Sequence, residues 1–214
     1  MKSRTASFLF TMALAPLIAG CFTGERPHFD HDPFRAGTAT GDPAIDAVLT
    51  RLDAVITGPA TALYAVLTKF GNTTSSATVT LDGSRRAIEI GNVQFVENDS
   101  EQFTCTLDGS APCASGINEA RVSDVGITFD FYAADAARRL RRDAQAKVGP
   151  ATASEEVIAN QQATCVTVPV TGGSAIYCAL ANGMIAKLDD GDVLIVLGLL
   201  TPTVDPARLE PISP

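Results

Sequence analysis

Chemistry in a protein needs nucleophiles, proton carriers or metal ligands at usable spacing, and here they are few. The chain has five cysteines and two histidines, and both histidines, His28 and His31, lie near its start. Everything after Asp32 is therefore without imidazole, which excludes a Ser-His-Asp triad or a Cys-His pair there, because each needs a histidine to move the proton. No Gly-x-Ser-x-Gly elbow, Walker loop or dinucleotide fingerprint occurs. His28, Asp30, His31 and Asp32 could hold zinc or copper, but nothing nearby preorganises them, and a solvated polar stretch is the simpler reading. Asp189, Asp190 and Asp192 around Gly191 could bind calcium; a hairpin turn is simpler, since the fuller ligand pattern of a calcium loop is absent. Glu155 and Glu156 are adjacent carboxylates, but neighbours on a strand face opposite ways and cannot flank one glycosidic bond. Arg138, Arg139, Arg141 and Arg142 predict a basic patch on a helix, partly offset by Asp135 and Asp143. No catalytic residue, metal or cofactor is assigned.

The cysteines carry more information. Lys2 and Arg4 open the chain, and Phe8 to Ala19 is apolar apart from Thr11 and is interrupted by Pro16. That stretch has the length of a signal-peptide core and is too short to span a bilayer as a helix. Ile18-Ala19-Gly20-Cys21 comes next, an aliphatic residue and two small ones before a thiol. The pattern resembles the lipobox of bacterial lipoproteins, which implies cleavage before Cys21 and lipid on its sulfur. The expectation is a leader over 1–20, a flexible tether over 21–41 and one domain over 42–214. The protein would then be held by its lipid on the extracytoplasmic face of the cell membrane. Disulfides are allowed in that compartment. Cys105, Cys113, Cys165 and Cys178 remain, an even number that suggests two bridges. Three connectivities are open, and the local pairing of Cys105 with Cys113 and Cys165 with Cys178 is the simplest. A four-cysteine zinc site is disfavoured by the wide spacing.

Net charge is −8, and two of the sixteen basic residues, Lys2 and Arg4, lie in the leader, so the remainder of the chain is more acidic still. Such a chain is a poor general partner for nucleic acid or for an anionic membrane surface. Hydrophobic residues make up 46%, enough for one well-buried core. Abundant alanine and a preference for arginine over lysine fit a GC-rich genome such as an actinobacterium's.

The elements that must position any site are set by spacing. Phe22 to Thr40 has no apolar period. Asp42-Pro43 reads as an N-cap with proline at the first helical position. Ile45, Val48, Leu49, Leu52, Val55 and Ile56 then recur at helical spacing, predicting a helix over 42–57 stopped by Gly58-Pro59. Short strands are expected at 62–70, 77–81, 85–90, 93–96 and 102–107, with turns at Asp82-Gly83 and Gly91-Asn92. A short strand or irregular approach at 125–131 leads to a second helix over 133–148. Further strands are expected near 156–159, 164–170, 174–180, 184–188 and 192–200, turning at Gly172-Gly173, Asn182-Gly183 and Asp190-Gly191. The tail from Pro202 is Pro-rich and is expected along the surface. The fold class is α+β: a curved antiparallel β-sheet, a half-barrel, packed against two or more helices.

That order, together with Thr164 to Val168, Ile176-Tyr177-Cys178, Asn182 to Ile185, Asp192 to Ile195 and the closing Asp205-Pro206 through Pro211, resembles the half-barrel envelope proteins that include LolA, LolB and the mycobacterial LppX/LprG-type lipoproteins. The resemblance covers about 44–212 and lies in element order and turn placement. It implies a non-catalytic protein binding or carrying a lipid, a glycolipid or another apolar ligand between helices and sheet. The cavity would be lined by residues such as Leu49, Leu52, Val79, Ile88, Phe95, Ile176, Ile185 and Leu194. The alternative is a structural or regulatory envelope lipoprotein that binds a protein partner.

Overall fold

The computed structural model describes residues 32, 34–56, 58–99, 101–122, 127 and 129–212. The leader, Cys21, His28 and His31 lie outside the described residues. The chain divides into Met1–Asp32 and Pro33–Pro214, and the elements described below belong to the second unit.

Helix α1 spans Pro43–Leu52. The Asp42 carboxylate accepts from the backbone N–H groups of Ala44 and Ile45, and Ile45, Val48, Leu49 and Leu52 form its buried stripe. The helix is shorter than the apolar period predicts. Gly58 sits at φ +89° and precedes Pro59, which disfavours helix before it, so Val55 and Ile56 leave the axis. Residues 34–41, read from the sequence as tether, fold back along α1. Gly37 N–H donates to Asp53 Oδ2 at 2.9 Å, and Thr40 donates to Asp46 through its N–H (2.7 Å) and hydroxyl (2.8 Å). Burial opposes ionisation of Asp46, but the donors of Thr40 and the Gly41 N–H (3.1 Å) outweigh it and hold the carboxyl below its usual range.

Eleven strands make up the sheet: β1 (Ala60–Thr68), β2 (Thr73–Asp82), β3 (Arg85–Ile90), β4 (Val93–Asn98), β5 (Glu101–Thr106), β6 (Ala114–Ser115), β7 (Thr152–Ile158), β8 (Gln161–Val170), β9 (Gly173–Leu180), β10 (Ile185–Asp189) and β11 (Val193–Thr201). They form one open, curved antiparallel sheet in the order β6-β5-β4-β3-β2-β1-β11-β10-β9-β8-β7. Each half is a meander, and the halves meet where β1 pairs with β11, Leu67 opposite Leu194 and Ala65 opposite Val196. The curl is strong enough that β7 and β11 come within 8 Å although three strands separate them in the order.

Strands β6 and β7 are opposite edges, so the chain between them must cross the sheet. It does so on the inner face, through the stretch around Ile127 and Phe129–Phe131 and then helix α2 (Ala134–Ala146). Of the stretch 125–131, the described residues Ile127 and 129–131 have no sheet partner and make an irregular approach to α2, not a strand. Phe131 meets Tyr64 edge-on at 5.2 Å, and Phe129 meets Phe95 at 6.1 Å. With Ala136, Ala137 and Leu140 of α2 they complete one core against Val79, Ile88, Phe95, Val166, Tyr177 and Ile195. The Tyr64 hydroxyl donates to the Ile185 carbonyl at 2.9 Å, and the Tyr177 hydroxyl donates to Asp143 of α2 at 2.6 Å.

The outer face is covered in part by the tail. Asp205 caps a short 3-10 turn, Pro206–Leu209. Leu209 is fully buried among Ala87 and Val96, with Phe103 and Val204 packed beside them. Gln94 donates to the Arg208 carbonyl, and Arg208 pairs with Glu89. The structure joins Cys105 to Cys113 and Cys165 to Cys178. The second bridge links residues directly opposite on β8 and β9.

Candidate functional site

A cleft of about 670 Å³ opens at one end of the sheet. Its floor is apolar, with Leu52, Ile56, Leu81, Ala133 and Ala137. Its rim is charged, with Arg85, Arg86 and Arg138 facing Glu97, Glu119 and Asp130. Three elements bring these groups together. The β2–β3 turn places Arg85 and Arg86, and its Gly83 adopts φ +65°, which favours glycine. The end of α1 places Leu52 to Ile56. The first turn of α2 places Ala133 to Arg138. The β9–β10 turn supports the loop after α1: a Cβ on Gly183 would lie 3.1 Å from the carbonyl oxygens of Arg51 and Ala54.

Arg86 is the most elaborately held group in the cleft. It lies on the inner face, pairs with Glu97 and with Asp130 (3.0 Å), and donates to the Tyr132 oxygen. Its guanidinium stands 3.8 Å from the centre of the Phe129 ring. Burial works against its charge, but Tyr132, Glu97 and Asp130 outweigh that and raise its pKa. Arg86 is thus neutralised by the protein itself, and a ligand meets an amphiphilic cleft and not a bare cation. Arg141 is almost wholly buried; it pairs with Asp53 and donates to the Thr38 carbonyl at 2.9 Å.

The residues expected to line a lipid cavity are differently placed. Leu49, Val79, Ile88, Phe95 and Ile185 are closed into the core, because the crossing segment and α2 fill the space above the inner face. Leu52 alone among them reaches the cleft. Ile176 and Leu194 lie on the outer face, each opposite or beside Asp189 in the ladder. Apolar periodicity does not reveal the cleft, because its charged half comes from turns and helix ends, which carry no such period.

The other motifs are absorbed by structure. Asp189 pairs with Lys69 at 2.6 Å, and Asp190 accepts from the N–H groups of Asp192 and Val193 and pairs with Arg139 at 3.3 Å, so the acids serve the β10–β11 turn. The four arginines form no single patch: Arg139 is held by Asp135 and Asp190, Arg141 is buried, and Arg142 pairs with Asp143. Glu155 accepts from the Thr164 hydroxyl, which lowers its pKa, while Glu156 faces the other way toward Lys187 at 3.5 Å. Glu156, Cys165 and Cys178 come within 4.8 Å of one another, but both sulfurs are spent in the disulfide and offer no thiolate. Among the described residues no helix is long and apolar enough to cross a membrane.

No protein-family profile matches the chain, and no curated protein does. Solved structures do. MucB aligns at 10% identity over 79% of this chain and 63% of its own, with a TM-score of 0.45. LprF from Mycobacterium bovis aligns at 14% identity over 72% of this chain and 90% of its own, with a TM-score of 0.37. A DUF1329 family protein from Desulfovibrio piger aligns at 9% identity over 79% and 98%, with a TM-score of 0.32. The chain thus spans less than two thirds of MucB. The likeness is one of fold alone.

Proposed function

We propose that this is a non-catalytic envelope lipoprotein, anchored through lipid on Cys21, that holds an amphiphile in the cleft between α1, α2 and the β2–β3 turn. The observation that carries this is the cleft's composition: an apolar floor beneath a rim of both charges, within the usual volume range of ligand sites. Size narrows the ligand. A cavity of about 150 Å³ takes one benzene, so about 670 Å³ suits one acyl chain with its headgroup and not a lipid of two or three chains. Native mass spectrometry on the exported chain, before and after organic extraction, tests the reading. A stoichiometric mass that extraction removes is expected. A bare protein that takes up no added lysophospholipid would sink it.

One observation favours the alternative, a protein partner. Leu63 and Leu199, opposite each other on β1 and β11, are 40% and 49% exposed, and Ala65 and Val196 continue their row on the outer face. If the cleft is empty, that row is where a partner should be sought by cross-linking.

A further inference from the structure

The loop after α1 carries an apolar residue that the fold does not use. Val55 is 84% exposed, although Ile56 beside it packs against the core. Both line the mouth of the cleft, and so do Phe34 and Ala36 at the start of the folded part. From there the chain runs to the other end of α1, since Gly37 bonds to Asp53 just after the helix and Thr40 to Asp46 in its first turn. Phe34, where the continuously described chain begins, thus lies at the mouth. Phe70 is still more exposed, at 92%, but it sits in the β1–β2 turn at the opposite end. The nine residues of β1 put about 30 Å between the two ends.

Cys21 lies thirteen residues before Phe34. A relaxed chain of that length spans about 20 Å, less than the length of β1. The Val55 end is thus the one that a lipid on Cys21 brings to the bilayer without stretching the tether. We propose that this end is a membrane-contact face: Val55 enters the interfacial layer of the bilayer, and the cleft opens onto it. The inference rests on the reading of Cys21 as a lipid anchor. One valine is a weak anchor by itself, but the tether makes the contact intramolecular and supplies a high local concentration. Arg85 and Arg138, which line the same mouth, then lie at the depth of headgroup phosphates.

The chain has no tryptophan, so single-tryptophan probes give a clean reading. Val55→Trp and Phe70→Trp are made in the full chain and purified with the lipid on Cys21. If intact mass shows Cys21 bare, a maleimide phospholipid is coupled there instead. Each variant is reconstituted into phosphatidylethanolamine–phosphatidylglycerol vesicles with and without brominated acyl chains. Tryptophan favours membrane interfaces at either position, so only the difference counts, and quenching of Val55→Trp at least about twofold above that of Phe70→Trp is expected. Equal quenching, none in either, or more at position 70 would overturn the proposal. The measurement does not read the cleft's contents, so an empty cleft in mass spectrometry leaves it standing, and the reverse also holds.

Discussion

Arg141 shows how one residue binds three pieces of chain. It sits on α2, pairs with Asp53 beyond α1 and holds the Thr38 carbonyl of the N-terminal segment. Its side chain is 3% exposed and that of Asp53 17%. Arg141→Leu keeps the bulk but leaves Asp53 without its cation, and removing one partner of such a pair costs about 3 kcal/mol. The urea midpoint should fall at unchanged slope; an unchanged midpoint would mean that Gly37 N–H alone satisfies Asp53. The tyrosines give a pH test. The chain has three, Tyr64, Tyr132 and Tyr177, and burial raises the pKa of each, helped at Tyr177 by the bond to Asp143. A pKa raised in the folded state contributes stability below the unfolded value, about 10, which is lost as pH rises beyond it. In an alkaline titration, tyrosinate absorbance should therefore appear only together with loss of the folded circular dichroism signal. Tyrosinate forming at its ordinary pH in folded protein would contradict the burial described.

At the scale of elements, local signals were legible in the sequence and long-range ones were not. Asp42-Pro43, Asp82-Gly83 and Gly91-Asn92 mark boundaries because capping and turn chemistry act over a few residues. The same Asp-Pro signal stood at Asp205-Pro206, where it marks the 3-10 turn, but nothing local says that Leu209 will be buried on the far side of the sheet. The crossing through Ile127 and 129–133 was equally hidden, since it depends on which strands become edges. Because Leu209 is the buried side chain of the tail, Leu209→Ala should cost about 3 kcal/mol and make 202–212 sensitive to protease, with the inner core intact. Uniform loss of protection across the sheet would show instead that the tail is part of one cooperative unit. The disulfides differ in the same way. Replacing Cys165 and Cys178 by alanine removes a short closed loop, worth about 3 kcal/mol, and leaves a cavity at two fully buried positions. Replacing Cys105 and Cys113 should cost less, since Cys113 is half-buried. A melting temperature about 6–12 °C lower is expected for the first pair, and the reverse ranking would mean that the β5–β6 loop is the weaker point of the fold.

For the whole molecule, the proposed ligand needs room, and the architecture decides where that room lies. A half-barrel wrapped around helices suggests a cavity between them, yet Phe129, Phe131 and α2 fill that space, and the open volume is displaced to the end where α1, α2 and the β2–β3 turn meet. The displacement makes a specific prediction. Ala134 opens α2, is exposed, and lines the cleft. Ala134→Trp should occupy the cleft without disturbing the core, so the unliganded melting temperature should stay as it was. A lysophospholipid at a hundred times its dissociation constant stabilises the protein by about 2.7 kcal/mol, which in a chain of this length raises the melting temperature by about 5–10 °C. The native chain should show that rise and Ala134→Trp should not. If both rise equally, the ligand lies elsewhere, and the core would have to open to admit it. In that case Leu49, Val79 and Phe95, closed here, would become lining residues, and hydrogen exchange in β2 to β4 should quicken before ligand binds.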